Sequence, residues 1–256
     1  MEVTTRKPFQ GVMNIIRFNW HFYVAAAAVV SILLAASMML DMLAFRICIL
    51  IAAGIVISTF ISLLVSYYVY DRSDLYSFRW LQRFRESANL NIINVHAGFD
   101  ETSGILRNNF PKANLRVFDF YDPQKHTEIS IARAREAHPA FPETLKIKTN
   151  HFPVLANSVD SIFNVFALHE VRDRKERIQF IEQQAVALKN TGNIVVVEHL
   201  RDLPNFLAYN IGFFHFLAGR EWYDNFQQAG LSVDNKFKIT CFITVFVLKK
   251  ADGNTP

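Results

Sequence analysis

Two stretches without a formal charge constrain this chain more than anything else in it. Residues 18–40 carry no Asp, Glu, Lys or Arg, and after the six-residue connector DMLAFR a second such run covers residues 47–70. A helix of about 20 apolar residues crosses the roughly 30 Å of hydrocarbon in a bilayer, so each run is long enough to span one. A cleaved secretory signal fits the first run poorly: the apolar stretch is too long, and no polar segment follows a small-residue cleavage site before the second run begins. A buried core helix is the other reading of such a run. However, 51% apolar residues is rich for a soluble protein, and the excess is concentrated here. Two membrane helices at about 18–40 and 47–70 are therefore expected, joined by a tight turn holding Asp41 and Arg46.

The flanks set the orientation. Arg6, Lys7 and Arg17 precede the first run and Arg72, Arg79, Arg83 and Arg85 follow the second, whereas the connector has only Arg46. Both termini, and the domain that follows, are thus expected on the cytoplasmic side of what would be a bacterial inner membrane. Trp20, Tyr23, Tyr67, Tyr68 and Tyr70 stand where interfacial aromatics belong. Small residues at 25–28 and 52–54 allow close helix packing, within the hairpin or between copies in a homo-oligomer.

A net charge of +4, clustered at these flanks with no stripe of interleaved aromatics, points to anionic lipid and away from nucleic acid. The two cysteines, Cys48 and Cys241, lack ligand spacing and read as small apolar fillers in a reducing compartment. Residues 71–89 set Leu75, Phe78, Trp80, Leu81 and Phe84 among arginines, the pattern of an amphipathic helix on the membrane surface. A linker packed on the soluble domain is the alternative.

From residue 90 to 250 the pattern changes to strands alternating with helices, followed by a short tail at 251–256. Strands are read at 91–97, 115–120, 145–149, 161–168 and 193–198, with a final pair at 232–238 and 240–249. Helices fall at 102–109, 126–137, 175–188, 203–217 and 221–229. The alternation predicts an α/β domain, a Rossmann-like doubly wound sheet, and the last two strands, with no helix between them, an antiparallel hairpin at its edge.

This outline, with a glycine turn after the first strand in NIINVHAGFDETSGIL, resembles the class I S-adenosylmethionine-dependent methyltransferases across the whole soluble part. In that resemblance Asn94 takes the place of an acid, His96 and Asp100 stand where glycines are common, and Gly98 remains. LRVFDFYD is similar to the second strand, whose terminal acid holds the ribose hydroxyls; Asp119 takes that role, with Asp122 next. KTNHFPVLANSVDSIFNVFALHEVRD resembles the run from the adenine contact into the fourth strand. It puts Asn150 or His151 beside adenine and Leu168 and its neighbours toward donor and acceptor. GNIVVVEHLRD and REWYDNFQQAGL resemble the fifth strand and the late helix. The resemblance implies S-adenosylmethionine as cofactor, held by His96, Gly98, Asp100, Asp119, Asn150, His151 and Leu168.

The residues themselves agree with such a ligand. Glycine lets backbone approach closely, a carboxylate suits two vicinal hydroxyls, and neither GxGxxG nor a Walker loop is present for a phosphate-bound cofactor. Asp100 and Thr102 also make a good helix start, so capping and cofactor contact are compatible roles. Methyl transfer from a sulfonium is an in-line displacement governed by positioning, with a base added where the acceptor is a hydroxyl. His169, His199, Glu170 and His215 are the catalytic candidates, ahead of Glu198 and Arg201. Imidazole and carboxylate can bind metal, but no short ligand motif occurs and no metal is expected.

The apolar, aromatic stretch 205–219 beside a tethered domain suggests a hydrophobic acceptor with a phenolic or quinol head. The expected function is an integral-membrane methyltransferase acting on a lipid-like molecule. A catalytically inactive binding or scaffold protein of the same fold is the alternative.

Overall fold

The computed structural model describes residues 6–84 and 90–251. Two apolar helices, α2 (Trp20–Ser37) and α3 (Met42–Tyr67), pack on each other as a hairpin and are long and apolar enough to cross a membrane, with only 6% of each apolar window buried. Their outer surfaces carry Ile32, Leu50, Ile57 and Phe60, all exposed. The second helix begins at Met42, earlier than residue 47, because the Asp41 carboxylate accepts hydrogen bonds from the backbone N–H groups of Leu43 and Ala44 and caps it. Arg46 thus lies inside the helix, one turn from its start.

A helix not anticipated from the sequence precedes the hairpin: α1 (Gln10–Phe18), strongly amphipathic, is separated from α2 by Asn19 alone. The N–H groups of its first turn, which lack partners within the helix, are satisfied from far along the chain. Asp71 accepts hydrogen bonds from Gly11 N–H at 2.7 Å and Val12 N–H at 2.8 Å. The approach is close enough to demand glycine, since a Cβ on Gly11 would lie 2.4 Å from Tyr70 Cβ. Asp71 and Tyr70 sit in a π-helical turn, Tyr68–Arg72, that ends α3.

Over the described residues 71–84 no continuous surface helix is formed. After the π turn the chain bends and enters a short 3-10 helix, Arg79–Phe84, while 85–89 fall outside the described residues. Leu75, Phe78 and Leu81 are fully buried against Ile92, Phe163, Val195 and Val245 of the sheet, so the segment is the packed linker. Its apolar residues gain more from a preformed apolar sheet face than from the interface of a bilayer.

The α/β domain from residue 90 onward follows the expected alternation. Strands β1 (Asn91–His96), β2 (Asn114–Asp119), β3 (Leu145–Lys146), β4 (Val159–Val165), β5 (Leu188–His199), β6 (Leu231–Thr240) and β7 (Ile243–Lys250) form one sheet in the order β3-β2-β1-β4-β5-β7-β6. The first five run parallel and β7 is antiparallel to both neighbours. Helices α4 (Ser103–Asn109), α5 (Ile129–Ala137), α6 (Arg174–Ala187), α7 (Leu203–Tyr209) and α8 (Gly219–Gln228) connect them. The central strands read as near-continuous apolar runs because both faces are covered. One face packs Phe180, Ile181, Trp222 and Phe226, the other the linker residues and α4.

The helix read at 203–217 stops at Tyr209 and continues as a 3-10 helix, Asn210–His215. Cys241 is exposed in the turn between β6 and β7, so it fills no core. Strand order reverses between β1 and β4, and the crevice beyond their carboxyl ends is where such sheets bind ligands.

Candidate active site

The turn after β1 is built by side chains reaching back to it. Asn94, buried in mid-strand, donates to Thr102 Oγ1 at 2.9 Å and Ser103 Oγ at 2.8 Å. Asp100 Oδ1 accepts from the backbone N–H groups of Thr102 and Ser103, both at 2.9 Å, and so caps α4. Gly98 has φ +93°, a conformation that side-chain-bearing residues rarely adopt. His96 Nδ1 accepts the Gly98 N–H at 3.2 Å and lies 3.8 Å from Asp119 Oδ1. His96 Nε2 and Asp100 Oδ2 are buried without a partner. Such orphaned atoms carry a desolvation cost of about 1–3 kcal/mol each unless a ligand or water meets them.

Asp119 is buried at the end of β2 and is already engaged. Arg135 on α5 donates to its Oδ2 at 2.6 Å and to Gly98 O at 3.3 Å, and its guanidinium lies 4.3 Å from the Tyr121 ring centroid. The other oxygen accepts Tyr121 N–H.

A cavity of about 250 Å³ opens beside this turn. Ala97, Phe99, Glu101 and Thr102 wall one side; Phe166, His169, Glu170, His199 and Phe216 wall the other. Residues of α1, Tyr70, Tyr76 and Ser130, Ile131 and Ala134 of α5 line the rest. The acid of the turn that faces the cavity is therefore Glu101, while Asp100 organises the helix start. Glu101 is held by Tyr76 Oη–H at 2.7 Å, Arg6 at 2.9 Å and Asn14 at 3.3 Å, which fastens α1 across the cavity.

The opposite wall is a polar cluster at the ends of β4 and β5. His169 and Glu170 form a 3-10 turn after β4, and Glu198 and His199 end β5. His169 Nδ1 meets Glu198 Oε2 at 2.7 Å and its Nε2 meets Glu170 Oε1 at 3.1 Å. Burial opposes a charge on His169, but the two carboxylates outweigh it and hold its pKa up to about 10. Held in this way, His169 donates from both ring nitrogens, to Glu198 and to Glu170. Burial would raise Glu170, yet His169 draws its carboxyl well below the usual range.

His199 is the reverse case. Burial pushes its pKa down to about 4, and the neutral ring lies between Tyr70 Oη, 2.9 Å from Nε2, and Asn205 Oδ1, 3.0 Å from Nδ1. Because Asn205 Oδ1 can only accept, Nδ1 carries the proton and Nε2 accepts from Tyr70. The ring stacks on Phe216 and on Phe166, a residue at φ 50° that pays backbone strain to point into the site.

The structure thus brings His169, Glu170 and His199 to one cavity, with His215 behind them on the 3-10 helix. His96, Gly98, Asp100 and Asp119 lie at the adjoining turn. Asn150 and His151 are exposed near β3 and do not line the cavity, and Leu168 is a core residue. Sequence reasoning missed Glu101, Tyr76 and Arg135, and took Tyr70 for an interfacial aromatic. The one available signal was the density of polar residues in DETS; nothing local marks the other three.

No protein-family model and no curated protein matches the chain. Solved structures do. A SAM-dependent methyltransferase from Aquifex aeolicus superposes with TM-score 0.51 at 15% identity, over 76% of this chain and 98% of that one. The fold is that of the class I S-adenosylmethionine-dependent methyltransferases. A protein of Haloferax volcanii crystallised with the Trm112 methyltransferase activator gives TM-score 0.52 at 16% identity, over 73% of this chain and 92% of its own. The [4+2]-cyclase SpnF gives 0.52 at 12% identity, over 70% and 80%. At these identities the likeness is one of architecture, and chemistry has to be argued from the site.

Proposed function

We propose that this chain is a membrane-anchored methyltransferase that moves a methyl group from S-adenosylmethionine to a hydrophobic acceptor bearing a phenolic or quinol head. The observation that carries this reading is the cavity. It joins the Gly98 turn to the polar wall at the ends of β4 and β5, and its third side is α1, one residue from the first apolar helix. An acceptor with a long apolar tail could remain in the bilayer beside the hairpin while its head enters. Exposed Leu203, Phe206, Leu207 and Ile211 extend the apolar surface beyond the hairpin, since α7 packs on α3.

The residues of the turn fit the donor. A strand-end glycine with positive φ, a buried carboxylate on the next strand and the unpartnered polar atoms of His96 and Asp100 suit an adenosine and a charged amino-acid tail. S-adenosylmethionine, when bound, supplies an electrophilic methyl on its sulfonium. Asp119 would hold the ribose hydroxyls once Arg135 swings off it, and Glu101 would face the ammonium. Tyr76 and α1 exclude water. Glu170, at the cavity wall, would accept a hydrogen bond from an acceptor hydroxyl and orient its oxygen toward the methyl. The bilayer and the hydrophobic acceptor are the proposed partners, with self-association through the spans as a further one.

Calorimetry of S-adenosylmethionine and S-adenosylhomocysteine into the detergent-purified full-length protein tests the reading. Micromolar binding weakened at least about tenfold in Asp119→Ala, the loss of hydrogen bonds to a charged acceptor, supports it. No heat from either ligand in a folded sample overturns it. That result would favour the scaffold reading, to which the Arg135–Asp119 ion pair already lends weight.

A further inference from the structure

Behind the cavity wall, three side chains from two distant parts of the chain aim single atoms at one point. His169 Nε2 lies 3.1 Å and His215 Nε2 3.5 Å from the same oxygen, Glu170 Oε1, and one ligand atom from each of the three residues lies within 4.8 Å of the others. The two imidazoles stand nearly perpendicular, 74° apart, with centroids at 5.1 Å. We propose that His169 Nε2, Glu170 Oε1 and His215 Nε2 form a site for one divalent transition-metal ion of the zinc and cobalt class, open toward the cavity.

Three features carry this beyond a cluster of opposite charges. The first is spacing. With metal–ligand bonds of about 2.0–2.1 Å in tetrahedral geometry, neighbouring ligand atoms lie about 3.3 Å apart, and the two observed contacts to Glu170 bracket that distance. The second is what orients the rings. His169 turns its Nδ1 to Glu198 at 2.7 Å and His215 turns its Nδ1 to Glu128 at 2.8 Å, so each imidazole has a carboxylate behind it and turns its other nitrogen toward Glu170, a side that His215 Nε2 shares with Arg172. A carboxylate on the far nitrogen is the usual support of a metal-bound histidine, fixing tautomer and ring plane and raising basicity.

The third is access. His169 and Glu170 both line the cavity, so the remaining coordination positions face it and suit a hydroxyl or carboxylate ligand. Two nitrogens and one oxygen favour zinc-like ions over magnesium or calcium, which prefer all-oxygen sets. One group competes. Arg172 donates to Glu128, to His215 O and to the His215 ring from the solvent side, and it is the half-exposed group an ion would displace.

The test uses metal alone, without donor or acceptor, so its failure is separate from any failure of donor binding. Full-length protein in detergent is stripped with chelator and titrated with Co²⁺, followed by Zn²⁺ competition. One equivalent of Co²⁺ should bind with the visible d–d absorption of a low-coordinate site, and Zn²⁺ should displace it. His215→Ala, at a quarter-exposed position that should not threaten folding, should weaken binding at least about 100-fold. Glu198→Gln should weaken it about tenfold with stoichiometry unchanged. Arg172→Ala should strengthen it several-fold, a direction that general damage does not produce. Absence of cobalt absorption in folded wild-type protein, or equal binding by His215→Ala, overturns the site and leaves the cluster an ion-pair network.

Discussion

Removing Arg135 should make the donor bind more tightly, an unusual direction for losing a buried-site arginine. Its guanidinium holds Asp119 Oδ2 at 2.6 Å and Gly98 O at 3.3 Å, the two groups that the proposed adenosine-bearing donor would use. A hydrogen bond to a charged partner is worth about 1.5–3 kcal/mol. The Arg135 side chain is 28% exposed, so solvent screening reduces what must be surrendered on binding to about 1–2 kcal/mol. At about 1.4 kcal/mol per tenfold, Arg135→Ala should tighten S-adenosylhomocysteine binding by about 5- to 30-fold. Calorimetry on the wild type and variant, with unfolding midpoints measured alongside, reads this directly. An unchanged affinity, or binding tenfold weaker in a variant that folds normally, would refute the reasoning. It would make Arg135 a bystander or a contact to the donor's own carboxylate.

Two further outcomes follow from the packing. His199 is neutral when folded, with its pKa down at about 4, and an unfolded histidine titrates near 6.5. The unfolded state therefore binds the extra proton first as pH falls, so this stabilisation is complete above about pH 6.5 and drains away toward pH 4, amounting to about 3 kcal/mol. Denaturant unfolding of wild type and His199→Gln across that range should show a flatter profile for the variant, and parallel profiles would remove His199 as the cause. Gly11→Val should dislodge α1, because even a Cβ there lies 2.4 Å from Tyr70 Cβ. Overpacking of this kind costs about 1–3 kcal/mol, and it should appear as faster proteolysis within residues 6–18, whereas wild-type protection would contradict the close approach.

How much was legible differs from one part of the chain to another. The charge-free runs and the strand–helix alternation were readable because each rests on local periodicity, and the parallel sheet with its antiparallel terminal hairpin is present as expected, while the order of its strands was not legible. For the segment after α3 the sequence left two readings, a surface helix and a packed linker, and the packing favours the second over its described residues. Leu75, Phe78 and Leu81 among arginines look alike whether their apolar side meets lipid or a sheet, and only the exposed face of that sheet decides. The 3-10 ending of the 203–217 region was equally hidden, since its composition suits either helix. At the site, Gly98 and Asp119 were named from the family resemblance, and His169, Glu170 and His199 from the density of polar residues at strand ends. Glu101 was passed over because Asp100 beside it offers the same carboxylate, and only backbone geometry assigns one to the cap and the other to the cavity.

The sequence by itself determined that this chain has a two-helix apolar hairpin, an α/β domain and a glycine turn ending its first strand. Those properties are encoded within windows of a few to a few tens of residues, where hydrophobic period and charge suffice. Only the tertiary structure decided that Tyr70 would meet His199 across 129 positions, that Asp71 would cap a helix 60 residues earlier, and that His169 would stand between Glu170 and Glu198. These meetings depend on strand order, on the register of β4 with β5, and on how a π turn aims its side chains. No local pattern carries that information, because the entropy of closing such long loops is repaid only when the whole sheet is packed.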